Sequence, residues 1–413
     1  MKRSDASHPE WKAHIKPKTP TMPATRNQLL IIAAISAAVI VLACNKSTDS
    51  TPAPNPTPDP VAAVLNLPAT PFKYSNIPLP GYLTTANIVG QINTPTNNII
   101  TDDGATLGRV LFYDKNLSFN NTVSCASCHK QANAFADVTV KSNGFNGGLT
   151  GRNSMSLIDA MYYPNGRFFW DQRAATLEDQ VLMPVQDQVE MGMTLAGLVT
   201  KLKALAYYPP LFKKAFGDND INSTRIAAAL AQFVRSIVSY RSKFDNGRGA
   251  FPAGPPPPPD LPFPNFTAQE NRGKEIFFTP NLGGCAGCHG TETFTAPQEK
   301  NNGLDLATVD RGFGAVVNNT ALDATFKVTS LRNVELTAPY MHDGRFTTLD
   351  QVVEHYSTGV KNHPNLSPQL KLPNGMPRLL NLSTADKAAL VAFLKTLTDN
   401  TVATETMYSN PFK

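Results

Sequence analysis

Cys125-Ala-Ser-Cys128-His129 and Cys285-Ala-Gly-Cys288-His289 are the two stretches in which residue type and spacing already specify a chemistry. In a C-x-x-C-H unit two thiols on one turn add to the two vinyl groups of a haem, and the adjacent histidine is placed to bind its iron axially. Paired C-x-x-C units also build zinc sites, but here a histidine follows each pair at once. Two covalently bound haem c groups are expected, attached through Cys125, Cys128, Cys285 and Cys288, with His129 and His289 on the iron. The fifth cysteine, Cys44, stands far upstream, so no thiol is left for a disulfide. After His129 the chain has no histidine until His289. What covers the far side of the first iron therefore decides the function: an iron covered on both faces carries electrons, and an iron open on one face can react.

The elements that position these units repeat. "LGRVLFYDKNLSFNNTVSCASCH" and "NRGKEIFFTPNLGGCAGCH" share a glycine, a basic residue, a short apolar helix face ending in Phe, then Asn-Leu and the cysteines, which reads as the entry helix of a cytochrome c fold, twice. "MTLAGLVTKLKAL", "INSTRIAAALAQFVRSIVSY" and "STADKAALVAFLKTL" are amphipathic, the last with an N-cap serine at Ser383. The expected fold is mainly α, with two cytochrome c-like haem domains in tandem. Its 413 residues, 41% hydrophobic, suffice for two modest cores. The 34 prolines are unevenly spread, with dense runs in "TPAPNPTPDP" and "PAGPPPPPDLPFP", extended spacers in character. The divisions expected are a signal peptide over 1–43, a tether over 44–70, a first haem domain over 71–253, a linker over 254–264, a second haem domain over 265–400 and a tail over 401–413.

Residues 29–43 form an apolar run of 15 with Lys and Arg before it and Cys44 after it, short for a spanning helix and suited to a signal-peptide core. Val41-Leu42-Ala43-Cys44 resembles a bacterial lipobox, which implies lipidation at Cys44 and a membrane-tethered lipoprotein in the periplasm or on the cell surface. Without residues 1–43 the net charge falls from +5 to +1, so the basic balance belongs largely to the export segment. Neither charge nor interleaved aromatics point to nucleic acid.

Beyond the haem units, "GRN" at Gly151, "FWDQRAATLEDQ" at Phe169, "VEMG" at Val189 and "FKVTSLRNVELTAPYMHDGRFTTLDQVVEHY" at Phe326 occur in the order seen in the bacterial dihaem cytochrome c peroxidases and the related MauG proteins. The resemblance spans roughly residues 100–400. It implies that Glu190 is the carboxylate over the first haem, with Gln180 and Pro184 in the same pocket, and that Trp170 carries electrons between the haems. It also implies a calcium ion held by the Asn153 side chain and the backbone carbonyls of Thr337 and Pro339, oxygen donors that suit a hard cation. A homodimer is among the assemblies the family forms.

In many dihaem peroxidases a histidine on the loop after the first haem motif caps that iron at rest. Here Gly144-Phe145-Asn146 stand in that region, so the first haem is expected to be open at rest, with Met155, Met161 or a lysine as the alternative cap. For the second haem, counting from His342 as the family pattern does leads to Tyr356; Met376, in a Met-Pro pair before the last helix, is the runner-up, and Met341 is third. The leading function is reduction of hydrogen peroxide to water, with electrons from a small cytochrome c or cupredoxin entering at the second haem. The alternatives are MauG-like oxidation of a partner protein through a high-valent dihaem state, and a non-catalytic dihaem electron carrier.

Overall fold

The computed structural model describes residues 59–413; the apolar run and Cys44 lie outside them. Among the described residues there are helices and isolated bridges but no sheet. The longer helices are α1 (Asp102–Tyr113), α2 (Leu177–Gln186), α3 (Leu195–Ala204), α4 (Tyr208–Phe216), α5 (Ser223–Ser236), α6 (Ala268–Phe278) and α7 (Thr384–Lys395). Their starts follow from local chemistry: Thr101, Thr176, Thr194, Asn222, Thr267 and Ser383 each accept a backbone N–H of the first turn.

The repeat seen in the sequence is a repeat in space. Entry helix α1 crosses α5, and entry helix α6 crosses α7. A Cβ on Gly108 would stand 2.0 Å from the Ala229 carbonyl oxygen, and one on Gly273 would stand 1.9 Å from that of Ala389. Glycine at each crossing lets two backbones touch. The basic residue after each glycine is buried too: Arg109 donates to the carbonyls of Thr406 and Met407, and Lys274 to those of Pro259 and Leu261.

Each pair of helices anchors its own apolar core. The first gathers Leu107, Leu111, Phe112, Phe135, Leu230 and Phe233. The second gathers Ile276, Phe277, Phe294, Leu390, Phe393 and Leu394. The segment over 401–413 returns to the first core, where Val402 and Tyr408 are buried and Gln131 donates to the carbonyls of Val402 and Glu405. The proline-rich segment before α6 likewise packs, with Phe263 in the second core. Arg332 and Asp245, both buried, pair at 2.9 Å beside the second core, into which Phe244 packs. No helix of the described residues is long and apolar enough to cross a membrane.

Candidate functional site

Cys125–Cys128 is a single helical turn started by a Ser124/Ser127 capping box, and the His129 N–H closes it on the Cys125 carbonyl at 2.9 Å. His289 does the same to Cys285 at 2.9 Å. Both imidazoles are then fixed from behind. Nδ1 of His129 bonds the Phe135 carbonyl at 3.0 Å and Nδ1 of His289 bonds the Phe294 carbonyl at 3.1 Å. Phe135 and Phe294 are fully buried and hold left-handed backbones, φ 58° and 53°, which aim these carbonyls inward. With Nδ1 spent, Nε2 is the nitrogen left for a metal.

His129 opens into a cavity of about 450 Å³ and His289 into a second of about 240 Å³. One wall of the first is α2, where Gln180 and Pro184 lie one turn apart on the same face. Pro184 has no N–H, so the Gln180 carbonyl is released from the helical ladder at the cavity. Glu190 follows on a tight turn in which Asp187 Oδ1 accepts the N–H of Val189 at 2.7 Å and of Glu190 at 3.1 Å. Burial pushes the Glu190 carboxyl above its ordinary value, Asp187 adds to the rise and Arg173 opposes it.

The loop over 142–150 covers this turn. Phe145 donates its N–H to the Glu190 carbonyl at 3.0 Å, a Cβ on Gly144 would meet the Val189 carbonyl oxygen at 1.6 Å, and Gly192, at φ 62°, leaves room for the Phe145 ring. This loop contributes only Thr150 to the cavity lining. Of the alternative caps, Met155 lines the cavity, Met161 is absent from that lining, and the Lys327 amine lies over the Tyr163 ring at 4.0 Å.

Trp170 lines both cavities. It sits on a tight turn beside Phe169, at φ 70°, with Nε1 donating to the Asn153 carbonyl at 2.8 Å and its ring edge-on to His342 at 6.4 Å. Phe168 belongs to the first core.

In the second cavity one amide gathers two of the three ligand candidates: Asn302 Nδ2 lies 3.3 Å from Met341 Sδ and 3.5 Å from the Tyr356 hydroxyl. Tyr356 falls on a π-helical turn, His355–Gly359, a widened geometry that recurs at functional sites, and burial pushes its phenol up to about 12. Met376 is outside the lining and 52% exposed, because its carbonyl closes a surface turn onto the Leu372 N–H at 2.8 Å. Asn153, Thr337 and Pro339 all line this cavity, and the Asn153 side-chain amide donates to the Thr139 carbonyl at 3.0 Å.

Residues 102–249 match the family described as Di-haem cytochrome c peroxidase. The methylamine utilization protein MauG of Methylorubrum extorquens is 34% identical over 305 residues, covering 73% of this chain and 80% of the relative. This chain belongs to the dihaem cytochrome c peroxidase and MauG family. The cytochrome c551 peroxidase of Nitrosomonas europaea is 30% identical over 300 residues, 72% of this chain and 80% of the relative. The crystal structure of a MauG-like protein associated with microbial copper homeostasis superposes with a TM-score of 0.69 at 30% identity, covering 81% of this chain and 99% of that one.

A dihaem family member carries two haem c groups, and the residues present fit them. All four cysteines of the motifs are unpaired; Cys285 and Cys288 line the second cavity, and Cys125 and Cys128 stand on the turn that ends at His129, in the wall of the first. Burial pushes the Cys125 and Cys285 thiols up to about 12, so neither rests as a charged thiolate. Motif reading alone passed over Phe135 and Phe294, although each is an aromatic five or six residues after a haem histidine. It also passed over Asn302 and Lys327.

Proposed function

We propose that this dihaem family oxidoreductase is a peroxidase that reduces hydrogen peroxide to water, drawing electrons from a small cytochrome c or cupredoxin through the second haem. The observation that carries the reading is the shared cavity of His129, Gln180 and Glu190, to whose lining the 142–150 loop contributes only Thr150. The bound haems would supply an iron that accepts peroxide and a second iron that passes electrons. The chain's part is proton handling and positioning. Glu190, with its affinity for a proton raised by burial, takes the proton of the inner peroxide oxygen and returns it to the outer one, so that water leaves. The Gln180 amide orients the oxygens, and Trp170 joins the two cavities. We include in the proposal Tyr356 as the far-side ligand of the second iron, a calcium ion on Asn153, Thr337 and Pro339, and lipid tethering at Cys44 at the periplasmic or outer cell surface.

Tyr356 favours a second reading, MauG-like oxidation of a partner protein, because a phenolate ligand would favour oxidised iron and make the second haem a poorer acceptor from cytochromes. The two separate on donor dependence. A peroxidase oxidises two molecules of reduced cytochrome c or cupredoxin per peroxide consumed. Peroxide consumption that no such donor accelerates would overturn the peroxidase reading and leave the second.

A further inference from the structure

Lys327 is the one ionisable residue among those lining both cavities. Its backbone N–H donates to the Trp170 carbonyl at 2.8 Å, so it is bound to the residue that joins the two sites. Its ammonium nitrogen lies 4.0 Å from the Tyr163 ring centroid and 4.7 Å from that of Phe168. Aromatic faces attract a cation but do not take up its three N–H groups. Burial alone pushes this amine down to about 7, with no carboxylate of the described chain acting on it. Lys274, which is buried, by contrast spends its ammonium on two carbonyls. A desolvated ammonium without acceptors is costly, and an incoming anion relieves the cost.

Each haem brings two carboxylates, and the two cavities meet at this side chain. We propose that Lys327 is the counter-cation of haem carboxylates at the junction, and that its charge raises the reduction potential of at least one haem. A positive charge in a low-dielectric site favours the reduced, less positive iron. The proposal rests on the two-haem reading of the cavities, and it makes Lys327 a positioning and tuning residue.

The test compares Lys327→Met, which keeps an apolar stem against Tyr163 and Phe168, with Lys327→Arg, which keeps the charge. Haem content of the purified holoproteins is measured first, then both midpoint potentials by spectroelectrochemistry. Lys327→Met should retain two haems and lower at least one potential by a tenfold or larger change in the reduction equilibrium, 59 mV for one electron, while Lys327→Arg stays close to the wild type. Haem loss in Lys327→Met that Lys327→Arg restores would support the same requirement for charge. Unchanged potentials in a fully loaded Lys327→Met, or equal haem loss in both variants, would overturn it and leave Lys327 a packing residue. A wild-type protein without two haems would instead sink the two-haem reading, which is read out before any potential.

Discussion

Phe145 donates its backbone N–H to the Glu190 carbonyl at 3.0 Å, which makes the loop over 142–150 part of the apparatus that holds the carboxylate. Gly144 is the tightest point of that contact, since a Cβ there would stand 1.6 Å from the Val189 carbonyl oxygen. Gly144→Ala must therefore push loop and turn apart. Misplacing a catalytic group by about 1 Å costs on the order of 10²-fold in rate. We expect Gly144→Ala to slow the reaction with peroxide by about that factor in stopped-flow absorbance, with both haems still attached; an unchanged rate would deny the loop this role.

Glu190 links activity and stability through pH. Burial raises its folded pKa above the unfolded value, so the stability it confers is fully present below the unfolded pKa and lost as pH rises through the folded one. Glu190→Gln removes the ionisation and hence the loss. Thermal melts should show the variant more stable than wild type at neutral pH, with the difference closing below about pH 4, the ordinary carboxylate range. The acid limb of peroxide turnover in the wild type should lie above that range, because the raised Glu190 carboxyl must be ionised to take the proton.

Gly108 and Gly273 are equivalent by structure and should be equivalent in energetics. A carbonyl oxygen at 2.0 Å or 1.9 Å from the new Cβ belongs to a helix backbone and cannot rotate away. Gly108→Ala and Gly273→Ala should each cost about 1–3 kcal/mol or more, the range of overpacked cores. Denaturant midpoints of the holoprotein measure this; a neutral variant at either position would show that the crossing is looser than described.

Tyr356 and Met341 both reach Asn302, so they compete for the second iron. If Tyr356 is the ligand, Tyr356→Met should raise the second potential, because methionine ligation favours reduced iron. Met341→Leu should leave it nearly unchanged. Spectroelectrochemistry distinguishes the two, and the reverse pattern would assign the ligand to Met341.

What could be read in the chain follows from where the information sits. The haem units, the Gly-basic entry helices and the capped helix starts are local patterns, and α1 and α6 stand where those patterns put them. Glu190, Gln180 and Trp170 were legible through motif order, and the fold gathers Gln180 and Glu190 around one cavity with Trp170 on the wall it shares with the other. The carbonyls of Phe135 and Phe294 left little trace because a backbone acceptor requires no particular side chain. Lys327 was silent for another reason: its surroundings come from Tyr163, Phe168 and Trp170, more than 150 residues away in the chain. Met376 looked like a ligand because Met-Pro before a helix is a local pattern, whereas its surface turn is set by Leu372.

The central claim is that the first iron is open at rest, with Glu190 in place beside it. One equivalent of hydrogen peroxide added to the fully ferric holoprotein tests it directly. A fast optical change, lost in Glu190→Gln, is the expected result; no change until an electron is supplied would mean that another ligand covers that iron at rest, and would contradict it.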